Sequence, residues 1–105
     1  VLFVETRQFT ARVLTLLTDE EYRELQEELS KRPDLGVIIP GTGGLRKLRV
    51  GAAGRGKRGG ARTIYYWARS RSTILLLFLF AKNERADLTT AQRASLRKLV
   101  ETEYP

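Results

Sequence analysis

Apolar residues recur along the chain with different spacings, and each spacing predicts a different element. Val1-Leu2-Phe3-Val4 is an unbroken apolar run with β-branched and aromatic members, which predicts a buried strand. Phe9, Val13, Leu16 and Leu17 fall at i, i+4, i+7 and i+8, the buried face of a helix. Thr18 followed by Glu21 is a capping box, so a second helix starts there, with Leu17 and Tyr22 placed as its hydrophobic staple. Tyr22, Leu25 and Leu29 continue its apolar stripe. Glu24, Glu27 and Glu28 lie off that stripe and read as a solvated face rather than as catalytic carboxylates. Pro33 stops the helix.

The period then changes. Residues 36–44 form a linker whose end, Pro40-Gly41-Thr42-Gly43-Gly44, is turn-forming. Residues 45–50 alternate and predict a strand with Arg46, Leu48 and Val50 on one face and Leu45, Lys47 and Arg49 on the other. Residues 61–67 are β-branched and aromatic, a strong strand, and Ser70-Arg71-Ser72 is its turn. Residues 73–80 form a central strand apolar on both faces. The run is too short to be a membrane span, which needs about 20 apolar residues. Thr89 and Gln92 make a second capping box, and Leu96, Leu99 and Val100 give the last helix its apolar face. The order is βααβββα. It predicts one α+β domain over residues 1–105, with an antiparallel-rich sheet, two early helices on one face and a C-terminal helix.

Charge changes this picture from a fold to a partner. The 105 residues hold 19 Lys+Arg against 12 Asp+Glu, a net +7. Residues 1–34 carry a net −3, and residues 84–105 are balanced. Between Asp34 and Glu84 lie ten basic residues and no acidic one. Ordinary soluble surfaces intersperse both signs, so this stretch predicts a polyanion-binding surface. The basic residues fall in predicted loops and strands, not on a basic amphipathic helix, which argues against a membrane surface. The first apolar run is too short for a secretory signal and has no basic flank. The chain has no Cys and no His. Disulfides, thiolate zinc sites, a Cys nucleophile and a histidine general base are excluded.

Gly54-Arg55-Gly56-Lys57-Arg58-Gly59-Gly60 is the most basic loop. It is not a Walker loop, since Gly56-Lys57 leads into Arg58 and a strand rather than into Ser or Thr and a helix. One reading is a soluble hairpin tip. The other is a clamp that follows a nucleic-acid backbone, with glycines admitting close approach and arginines giving forked phosphate contacts. The acid-free surroundings favour the clamp. Arg62 opens a strand of apolar neighbours and shares a face with Ile64 and Tyr66, so it reaches solvent or points into a site. Tyr65, Tyr66 and Trp67 suit a core more than a base-stacking platform.

Three separated motifs carry a family resemblance. Residues 41–49 read GTGGLRKLR. Residues 56–62 read GKRGGAR and lead to Tyr65-Tyr66. Residues 81–84 read AKNE, with Asp87-Leu88-Thr89 after them. In this order the chain resembles the HigB branch of the RelE toxin superfamily over most of its length. The resemblance implies the RelE-like fold, a curved sheet with two N-terminal helices packed on it and a C-terminal helix. It implies a cytoplasmic toxin of a type II toxin–antitoxin pair that cuts mRNA in the ribosomal A site. Its partners would be a HigA-like helix-turn-helix antitoxin, mRNA and the ribosome with its 16S rRNA, with operator DNA met only through the antitoxin. It implies no metal and no cofactor.

By the same resemblance Lys47, Arg49 and Arg62 match the basic strand positions of the family's site. Lys82, Asn83 and Glu84 match the groups just after its last strand. Asn83 and Thr89 stand where RelE itself has an Arg and a Tyr. Such enzymes direct a ribose 2′-OH at the adjacent phosphate, and guanidinium groups stabilise the charge that gathers there. Arg62 with Arg58 or Lys57 suits that role. A lysine serves as base where crowding cations disfavour its charged form. Lys82 is the first choice and Lys47 the second. Glu84 is either a base or a charge partner of Arg85 or Lys82. Arg46, Arg55, Lys57, Arg58 and Tyr66 are the expected RNA contacts. The alternative is a non-catalytic RNA- or ribosome-binding module using the same surface.

Overall fold

Threonine hydroxyls start the three described α-helices in a computed structural model of the chain, which describes residues 1–51, 60–82, 84 and 88–104. Thr6 accepts from the Phe9 amide at 3.2 Å and opens α1 (Arg7–Leu16). Thr18 and Glu21 close the expected capping box at the start of α2 (Asp19–Lys31). Asp19, Glu20 and Glu21 add negative charge at the positive end of its dipole. Thr89 and Gln92 repeat the box for α3 (Thr90–Glu103). Each cap satisfies amides that the helix leaves open and is worth about 1 kcal/mol.

The strands are β1 (Leu2–Glu5), β2 (Val37–Ile38), β3 (Arg46–Val50), β4 (Ala61–Ala68) and β5 (Thr73–Ala81). They form one sheet in the order β1-β5-β4-β3-β2. β1 runs parallel to β5, and the other neighbours are antiparallel. The predicted order is found with one addition, β2. Its two residues are exposed at the sheet edge, so they show no alternation. The linker end is a tight hairpin between β2 and β3. Gly41, Gly43 and Gly44 have φ of 75°, 75° and 112°, conformations that side-chain-bearing residues rarely adopt. Buried Thr42 holds the hairpin from inside, donating to the Ile39 carbonyl and accepting from the Leu45 amide.

Both faces of the sheet are covered. On one side Phe9 and Val13 of α1, Leu17, and Leu25 and Leu29 of α2 pack on Val50, Ala61, Tyr65, Ile74, Leu76 and Leu79. On the other, Leu88, Leu96 and Val100 pack on Leu45, Ile64, Leu75, Leu77 and Phe80. β5 contributes to both layers. Its register against β4 slips once: Ile64 pairs with Phe78, Tyr65 pairs with Leu76, and Leu77 is the extra residue of a bulge. The bulge resets the alternation, so Leu77 and Phe78 both lie on the α3 side.

Tyr65 fastens the chain between α2 and β2 to the middle of the sheet. Its buried hydroxyl donates to the Pro33 carbonyl and accepts from the Gly36 amide, each at 2.8 Å. Burial pushes its pKa up, so the phenol stays protonated and keeps donating. Gly36 is needed there, because a Cβ would stand 2.8 Å from the ring. Tyr65→Phe leaves that amide and carbonyl unpaired. A loss of about 1–3 kcal/mol is expected in a urea unfolding curve, and an unchanged midpoint would contradict this fastening.

Candidate nucleic-acid interface

Alternation along β3 sorts its basic residues onto opposite faces. Arg46 lies with Leu48 and Val50 on the side of α1 and α2, as the spacing predicts. Its Nη1 donates to the carbonyls of Asp34 at 3.0 Å and Gly36 at 2.8 Å. Those bonds hold the chain that precedes β2. Arg46 is thereby on the face opposite Lys47, Arg49 and Tyr66 and is engaged by backbone.

Lys47 and Arg49 lie on the opposite face, the one that carries α3. Arg49 stands directly opposite Arg62 on β4, and Arg62 in turn opposes Phe80 on β5. Lys47 stands between Val37 and Ile64 in the next row. Val37, Lys47, Leu48, Arg49 and Arg62 line one groove, with no carboxylate in its lining among the described residues. Like charges placed opposite each other across two strands repel. Arg49 and Arg62 therefore repel across the groove, and a bound polyanion would relieve that repulsion. Lys82 follows β5, and its amide donates to the Gly60 carbonyl at 3.2 Å, which places it at the end of the sheet where β4 begins, near Arg62. Its side chain is exposed. Arg55, Lys57, Arg58 and Asn83 lie outside the described residues.

Two expected residues are placed elsewhere. The Tyr66 ring is on the correct face, but it is four residues along β4 from Arg62. It packs against Tyr104 with centroids 6.4 Å apart, beside Gly44 of the hairpin. Glu84 folds back on the turn after β5. Its carboxylate accepts from the Ala81 amide at 2.7 Å and pairs with the guanidinium of Arg12 on α1. Its described partner is thus Arg12 and not Lys82. Arg12 and Glu84 are 72 positions apart, and no local pattern in the sequence links them. The pair closes a second, largely apolar groove along β5, lined also by Ala11, Phe78, Phe80 and Leu88.

A family model described as the RelE toxin of the RelE / RelB toxin–antitoxin system matches residues 34–104. The chain belongs to the RelE toxin family. The crystal structure of the isolated E. coli RelE toxin matches it with a TM-score of 0.59, covering 93% of this chain and 97% of that chain at 10% identity. The RelE-like fold expected from the three motifs is therefore present. This RelE-family toxin has no helix, among its described residues, long and apolar enough to cross a membrane.

The electrostatics of the toxin bear on the choice of base. The hydrogen bond from Arg12, and after it the one from the Ala81 amide, hold the Glu84 carboxyl below the usual carboxylate range. That makes Glu84 a weaker base and a better ion-pair partner. Because its folded value is depressed, the stability it adds is present at neutral pH and fades as pH falls through that folded value. Glu84→Gln should therefore lower the melting temperature at pH 7. The gap to the unsubstituted toxin should close on acidification below the ordinary carboxylate pKa. A gap that stays constant with pH would separate the stability from the ion pair.

Proposed function

We propose that this toxin is an endoribonuclease of the HigB branch that cleaves mRNA in the ribosomal A site and so arrests translation and growth. The observation that carries this reading is the Arg49–Arg62 pair, held side by side across β3 and β4 in the groove that Lys47 also lines. Two adjacent guanidinium groups suit the forked recognition of phosphodiester oxygens. In the reaction, the ribose 2′-OH of one nucleotide attacks the adjacent phosphorus. The bond from phosphorus to the 5′ oxygen of the next nucleotide breaks, leaving a 2′,3′-cyclic phosphate and a 5′-hydroxyl end.

Arg62 and Arg49 meet the charge that develops on the non-bridging oxygens, which is where electrostatic stabilisation is worth most. Lys82 and Lys47 remain the candidates for taking the 2′-OH proton and returning one to the leaving oxygen. Glu84, engaged by Arg12, is the weaker choice. With message and ribosome fixing the geometry of the attacking hydroxyl, positioning supplies much of the rate. Naked RNA is then a poor substrate. The same reading gives the toxin a HigA-like helix-turn-helix antitoxin, operator DNA only through that partner, and a cytoplasmic site of action.

Primer extension on translated messages in a purified translation system tests the proposal, since only an enzyme creates new 5′ ends. Arg62→Ala should reduce cleavage roughly a hundredfold or more. Its thermal midpoint should hold or rise, because one of two facing like charges is gone. Full cleavage by the folded variant would remove Arg62 from the reaction. New ends absent even with the unsubstituted toxin would favour the non-catalytic binding module. Equal cutting of naked and translated RNA would refute the ribosome dependence.

A further inference from the structure

α3 gives the core its apolar residues. Its two flanks differ once it is seated on the sheet. Leu96 and Val100 point into the core. Gln92 lies to one side, in the groove along β5 with Phe78 and Phe80. Arg97 lies to the other side and reaches the β2–β3 hairpin, where its Cγ is 3.6 Å from the position of a Cβ on Gly43. Arg93 precedes Arg97 by one turn, and residues four apart lie on the same flank. Arg93 is therefore directed towards β3, not β5.

The level along the sheet follows in the same way. α3 begins beside Leu88, at the end of β5 that carries Phe80, and Phe80 opposes Arg62. It ends at Tyr104, whose ring packs at a tilt against Tyr66. β3 runs the opposite way, from the hairpin near Tyr66 to the end that opposes Ala61. Stepping back one turn from Arg97, about 6 Å along the axis, moves from the level of the hairpin towards Lys47 and Arg49.

The second observation is the state of the side chain. Arg93 is half-buried, and its Nε is enclosed with no hydrogen-bond partner. Arg97, on the same flank, has Glu101 beside it; Arg93 has no carboxylate partner among the described residues. The enclosed Nε anchors the side chain against the protein, and the two terminal guanidinium nitrogens, which have no partner among the described residues, are the donors left for an incoming acceptor.

We propose that Arg93, reaching from α3 onto the face that carries Lys47, Arg49 and Arg62, is a phosphate-contacting residue of the RNA site. It supplies a donor from above the sheet, so that a strand lying in the groove is held between α3 and the β3–β4 surface. The ligand it recognises is a phosphodiester of single-stranded RNA. The inference rests on the reading of this groove as the RNA site.

The experiment measures binding of a single-stranded 2′-O-methyl RNA oligonucleotide, which has no free 2′-OH and cannot be cut by this chemistry. Affinity is followed against salt by fluorescence anisotropy. Each phosphate contact on a single strand contributes about 0.7 to the slope of log K against log salt. Arg93→Gln should reduce that slope by about 0.7. Arg93→Lys should keep most of it, and Arg97→Gln should leave it unchanged. A side chain that only packs α3 against the sheet would lower the melting temperature without moving the slope. An unchanged slope in folded Arg93→Gln, a loss of slope in folded Arg93→Lys, or an equal loss in Arg97→Gln overturns the assignment. Failure of the unsubstituted toxin to cut translated mRNA would defeat the enzymatic proposal while leaving this comparison readable. Failure of the unsubstituted toxin to bind the oligonucleotide would defeat both.

Discussion

The burial of β5 on both of its faces is the constraint from which the rest of the molecule follows. A strand in that position needs backbone partners along its edges, which β4 and β1 provide, and a cover on each side. α1 and α2 supply one cover and α3 the other. The strand carries too many large apolar side chains for a strict alternation to divide them, and the bulge at Leu77 lets two neighbours face the same way. β4 inherits its surroundings from this arrangement. Tyr65 is drawn into the helical layer, and Ile64 into the opposite one.

Among the described residues, the groove is what the covers leave open. α3 crosses one face from the Phe80 end of β5 to the Tyr66 end of β4, and its packing stops short of the far half of β3. Alternation on β3 and β4 then places Lys47, Arg49 and Arg62 on that uncovered ground. The sheet that buries the core and the sheet that presents the cations are one object, read on successive side chains. The helical layer also reaches the site indirectly, because Arg12 holds the turn that follows Lys82.

Most of the fold was legible because its signals are local. The two capping boxes, the stripe from Tyr22 to Leu29 and the parity of Arg46 against Lys47 and Arg49 depend only on spacing, and the structure keeps each of them. β2 was invisible because two exposed residues at an edge have no period. The bulge was invisible because a continuous apolar run has no phase to break. The site was legible in part. Lys47, Arg49 and Arg62 come together because strand parity and hairpin order bring them there. Arg46 and Tyr66 looked equivalent to them by composition, but Arg46 is spent on two carbonyls and Tyr66 on a ring contact. The Arg12–Glu84 pair joins opposite ends of the chain, so it needed tertiary structure to be seen.

The separation of charge along the chain becomes a separation in space. The outer surface of α2 exposes Glu20, Glu24, Glu27 and Glu28, and the cationic groove lies across the sheet from that helical layer. Among the described residues, the acidic surface of α2 and the cations Lys47, Arg49 and Arg62 therefore stand on opposite sides of the sheet. A polyanion exerts a torque on such a body as well as an attraction, turning the acidic helix away and the groove inwards before contact. Encounters then begin already oriented, and the fraction that proceed to binding rises accordingly. Added salt shortens the range of this torque to about 8 Å at physiological ionic strength. The alignment is thus achieved in the last few water layers before the surfaces meet.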